Sequence, residues 1–147
     1  MKKVIIASGY YNPIHIGHIN LLREAKKFGD ILVVIVNNDE QVKVKGSAPF
    51  MSEKERIEIV KAVRYVDEVS LSIDKDGSVC ESLKAIAKNY AGYELFFANG
   101  GDRHQGNIPE TKICKEFNIK IIDNVGGGKV QSSSWLIENS SKIKNNF

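Results

Sequence analysis

Polar and apolar positions fall into three blocks along the first 36 residues. Val4–Ser8, "VIIAS", is an apolar run of strand length. Gly17–Phe28 carries Ile19, Leu21, Leu22 and Ala25 close to helical spacing, and "FGD" places a glycine where a helix C-cap belongs. Ile31–Val36, "ILVVIV", has no polar position, the pattern of a strand covered on both faces.

The alternation continues. "NNDEQVKVKGSAPF" is expected to be a polar loop. Ser52–Tyr65 reads as a helix, with Ser52 and Glu55 spaced as a capping box and Ile57, Val60 and Val63 as its apolar stripe. "VDEVSLSI" predicts a third strand, Ser78–Asn89 a helix and "ELFFAN" a fourth strand. A helix is expected near Pro109, which a first turn tolerates. "IKIID" predicts a fifth strand, and "SSSWLIENSSKI" a terminal helix with serine caps. Strand and helix thus alternate about five times. The pattern predicts one α/β domain over residues 1–147, a Rossmann-like three-layer sandwich around a five-stranded, mostly parallel sheet.

Composition narrows the function. A formal charge of +3 over 147 residues suits an anionic small molecule and is too weak and dispersed for a nucleic-acid binder. The apolar stretch after "MKK" is shorter than a secretory signal core, and the longest apolar run falls far short of a membrane span. Cys80 and Cys114 are far apart without metal-like spacing and read as reduced, buried residues. A cytoplasmic protein is expected, with neither nucleic acid nor membrane as partner.

Ligands of such sheets bind beyond the carboxyl ends of the strands. Three loops fall there: "GYYNPIHIGH", "NGGDRH" and "GGGKVQSSS". Within the first, His15 and His18 allow three readings. They could be turn or capping histidines satisfied by the backbone. They could share a metal, although His104 is the only other histidine. Or they could add directed donors beside a helix amino terminus whose free N–H groups attract a phosphate, with Gly17 allowing close approach. No nucleophile of the protein's own is evident there, so the third reading suits direct displacement at phosphorus.

"HIGH" after the first strand resembles the signature of the HxGH nucleotidyltransferase superfamily, in particular its small cytidylyltransferase-like members. "MSEKERIEIVKAVRYVDEV" is similar to that family's central helix and following strand, and "SSSW" stands in the place of its carboxyl-terminal Ser/Thr motif. The resemblance implies transfer of CMP from CTP to a small phosphorylated acceptor, with release of pyrophosphate. The alternatives are adenylyl transfer from ATP to a sugar-phosphate or phosphopantetheine-like acceptor, or a non-catalytic nucleotide-binding module. Mg²⁺ carried on the nucleotide phosphates is implied as cofactor, and a homodimer as assembly.

By that resemblance His15 and His18 stabilise the reacting phosphate, with Lys45 as a third catalytic group. Gly9, Tyr10, Tyr11 and Gly17 would lie along the nucleotide, together with Asp102, Gln131, Ser132, Ser133 and Ser134. Lys43, Arg56 and Arg103 would meet the substrate. No protein metal ligands are implied. Two positions depart from the pattern. Asn12 stands where many relatives have aspartate, and Lys129 is the nearest cation where an arginine usually precedes the serines.

Overall fold

A computed structural model describes residues 1–100, 108–127 and 135–140. Five strands form one sheet: β1 (Lys3–Gly9), β2 (Ile31–Val36), β3 (Glu68–Leu71), β4 (Glu94–Gly100) and β5 (Ile119–Val125). Their order is β3-β2-β1-β4-β5, and every neighbouring pair is parallel. The helices between them are α1 (Ile16–Lys26), α2 (Asp39–Val44), α3 (Glu53–Lys61), α4 (Cys80–Asn89) and α5 (Thr111–Glu116). Residues 135–140 are also helical. The fold is the expected α/β, Rossmann-like sandwich.

Each sheet face has its own core. Val4 and Ile6 of β1 and Val33 and Ile35 of β2 pack with Leu83 and Ile86 of α4 and Cys114 of α5. Ile5, Ala7, Val34 and Val36 pack on the other side with Leu22 and Ala25 of α1 and Val60 of α3. β1 and β2 are central strands covered on both faces, which is why their sequences show almost no polar alternation.

Three local expectations are corrected. The polar stretch after β2 contains α2, because Asn38 caps it reciprocally with Gln41 and Asp39 and Glu40 fill its first turn. Gly29 is not the C-cap of α1, which is Lys27. Gly29 is required by space instead: a Cβ there would sit 2.8 Å from the Ile5 side chain and 2.9 Å from the Lys3 carbonyl. Pro109 precedes α5 rather than lying in its first turn.

The chain runs from β1 through β2 to β3 and then returns to β4 on the other side of β1. That reversal opens a crevice at the carboxyl ends of β1 and β4, where ligands of open α/β sheets bind.

Candidate active site

The turn leaving β1 is tightly built. Tyr11 has φ of 52°, a left-handed conformation that costs a bulky residue on the order of 1–3 kcal/mol. Its ring is buried and lies where a Cβ on Gly9 would be, 2.8 Å from Tyr11 Cζ. Gly9 is thus needed for Tyr11 to fold back. Burial also holds the Tyr11 phenol well above its usual range.

His15 is the N-cap of α1 and His18 its third residue, and the two form a capping box from imidazoles. The Gly17 N–H donates to His15 Nδ1 at 3.1 Å, and the His15 N–H donates to His18 Nδ1 at 3.1 Å. The His18 N–H bonds the His15 carbonyl. The expected cluster of free N–H groups at this helix end is therefore corrected, because Gly17 and His18 spend theirs on the cap. Capping and catalysis also cease to be alternatives. Each ring accepts through Nδ1, so a neutral imidazole must carry its proton on Nε2. The rings stack at 3.8 Å between centroids.

His18 is pushed down from its ordinary value of 6.5 to about 3, chiefly by burial and then by the charges of His15 and Lys45. It stays neutral at physiological pH and acts as a donor rather than a cation. Between about pH 6.5 and pH 3 the native state then binds fewer protons than the unfolded chain. Its contribution to stability is complete above pH 6.5 and is lost on acidification, by up to about 1.4 kcal/mol per pH unit. Urea titrations at several pH values between about 4.5 and 6.5 should show this slope in the wild type and a shallower one in His18→Asn. Equal slopes would assign the proton elsewhere.

Lys45, the C-cap of α2, lies over the Tyr10 ring with Nζ 4.4 Å from its centroid. Tyr11 packs against His18 at 4.7 Å. The structure thus brings Gly9, Tyr10, Tyr11, His15, Gly17, His18 and Lys45 to the carboxyl end of β1. Lys43 is exposed on α2 and paired with Glu40 at 3.3 Å. Trp135 is 46% exposed. Asp102, Arg103, Gln131, Ser132, Ser133 and Ser134, with Lys129, lie outside the described residues.

Arg56 differs from the expectation of a surface cation reaching the substrate. Its side chain is 0% exposed. Nε donates to the Met51 carbonyl, Nη1 to the carbonyls of Tyr10 and Asn37, and Nη2 to Asp39 Oδ1 at 2.7 Å. It joins the ends of β1 and β2 to the start of α3. Arg64 lies after α3, towards the amino-terminal end of β3 and away from the histidines, with its guanidinium over Tyr65.

Asn12 is a second buried tie that sequence reasoning did not assign. Its Nδ2 donates to the Ala48 carbonyl at 3.1 Å, and its Oδ1 accepts from the Phe50 N–H at 2.7 Å and the Met51 N–H at 3.3 Å. A carboxylate could not donate to Ala48, so the amide suits this loop where aspartate would not. A separate cavity of about 420 Å³ between α1 and the end of β5 is lined by Asn20, Arg23, Phe28, Asp123 and Gly126 and does not include the histidines.

An all-parallel sheet with a paired-imidazole turn at its switch point defines a Rossmann-like α/β fold whose ligand crevice lies at that turn. A family model described as cytidylyltransferase-like matches residues 6–123, and the chain belongs to that family. It is 46% identical over 123 residues to the bifunctional protein HldE of Desulfatibacillum aliphaticivorans, covering 82% of this chain and 24% of that protein. It is 43% identical over 76 residues to the FAD synthase of Pyrococcus horikoshii, covering 51% of this chain and 50% of that one. The chain thus spans between a quarter and a half of these curated relatives. Among solved structures, the lipopolysaccharide core biosynthesis protein of Thermoplasma volcanium shares the fold, with a TM-score of 0.68 at 24% identity over 84% of this chain and 97% of that one. No helix among the described residues is long and apolar enough to cross a membrane.

Proposed function

We propose that the chain transfers a nucleotidyl group, CMP from CTP, to a small phosphorylated acceptor and releases pyrophosphate. The observation that carries this reading is the stacked pair of imidazoles beside the carboxyl end of β1, each accepting a backbone N–H through Nδ1 and so keeping Nε2 for a donor. An acceptor phosphate oxygen attacks the α-phosphorus, and the bond to the β-phosphate bridging oxygen breaks. Pyrophosphate leaves with that electron pair. Charge grows on the α-phosphate oxygens, and donors fixed in advance stabilise it more than they stabilise the ground state. Lys45 adds a positive charge nearby, and Ser132, Ser133 and Ser134 are expected to hold the outer phosphates. Mg²⁺ would arrive on the triphosphate as part of the substrate. Among the described residues, no group of three or more His, Cys, Asp or Glu gathers into a metal cage.

ATP is the second reading, and the likeness to FAD synthases favours it, because FAD contains an adenylyl group. The test is pyrophosphate release with CTP or ATP, Mg²⁺ and a panel of phosphorylated polyols, sugars and amino alcohols. Release that needs both a nucleotide and an acceptor is the expected result. A nucleotide that raises Tm without release with any acceptor would make the chain a binding module and overturn the enzyme reading.

A further inference from the structure

Asn99 lies in β4, one residue before its end. It is 1% exposed, and its Oδ1 is the one buried side-chain polar atom among the described residues without a hydrogen-bond partner. Such an atom is costly to bury unless something supplies a donor. Its setting is equally specific. The β4–β5 register is broken between Ala98 and Gly100, so Asn99 sits at an irregularity of the kind that re-aims a side chain. β1 and β4 pair in register from Lys3–Glu94 to Ile6–Phe97, which leaves Asn99 beyond the last registered pair, at the crevice. The amide is also held one way round. Nδ2 donates to Asp123 Oδ1 at 3.2 Å, and because a carboxylate only accepts, Oδ1 is left as the unpaired acceptor.

We infer that Asn99 Oδ1 reads the exocyclic amino group of the nucleobase and so selects cytosine or adenine over their keto counterparts. The inference rests on the nucleotide reading above. A ribose hydroxyl both donates and accepts and would be served by either end of the amide, whereas an amino group needs an acceptor. Asp123 enforces that end. Uracil and hypoxanthine present a carbonyl oxygen where cytosine and adenine present the amino group, so they would set two acceptors against each other. Because Oδ1 is buried, the groups over it must give way as the base enters.

Calorimetry with CTP against UTP and ATP against ITP tests this on the full chain. Wild type should prefer the amino member of at least one pair by about tenfold or more. Asn99→Leu should bring that ratio close to one while the protein remains folded by its Tm. Asp123→Asn, which lets the Asn99 amide turn over, should also lower it. An unchanged ratio in Asn99→Leu, or an equal loss for both members of a pair, would overturn the inference. Should Asn99→Leu not fold, an unchanged ratio in Asp123→Asn overturns it instead. If wild type binds no triphosphate, the nucleotide reading itself falls. Wild-type binding without preference within either pair removes only the role of Asn99.

Discussion

His18→Asn should lower kcat for nucleotidyl transfer by about 10²- to 10³-fold, while nucleotide Kd changes little. Asparagine is chosen because its Oδ1 can take the place of the ring Nδ1. It can still accept from the His15 N–H, so the end of α1 stays capped. What disappears is the Nε2–H donor. Its loss matters most where the phosphate carries the most charge, so kcat should fall with kcat/KM and the unfolding free energy should shift by only about 1 kcal/mol. His18→Ala removes both functions and should lose stability as well as rate. The comparison separates capping from chemistry within one residue. A full kcat in His18→Asn beside a destabilised His18→Ala would leave the imidazole as a cap alone.

The second large effect is expected at Arg56. Arg56→Met should destabilise the domain by about 3–5 kcal/mol, the scale for breaking a buried, hydrogen-bonded charge. Three carbonyls, those of Tyr10, Asn37 and Met51, would lose their donor together with the Asp39 carboxylate. Arg56→Lys should rescue little, because one ammonium cannot reach in the three directions that the guanidinium spans. Urea midpoints at constant m-value would measure this. A phosphate ligand behaves differently: the lysine variant would keep its midpoint and show a raised KM. That outcome would return Arg56 to the substrate.

These two residues show where sequence was informative and where it was not. β1 and β2 were legible because burial on both faces leaves an apolar run that no loop imitates. The His15–His18 spacing is that of a capping box, so local structure and chemistry could be read from the same four residues. α2 was hidden by its composition: six residues, mostly polar, held by caps rather than by an apolar stripe. Arg56 carried a signal that its charge masked. It stands four residues before Val60, which is fully buried, and hence on the inward side of α3. Asn99 had no comparable signal. Its isolation arises from an irregularity between two strands, and no pattern along β4 alone encodes a neighbour's register.

Asn12 and Arg56 share a trait with a longer reach. Their bonds to the stretch between α2 and α3 all end on main-chain atoms, those of Ala48, Phe50 and Met51. Those ties hold the main chain at Ala48, Phe50 and Met51 rather than their side chains, and Phe50 projects 65% exposed. Substitution at Phe50 can thus change the surface beside the turn after β1 while Asn12 and Arg56 hold that turn in place.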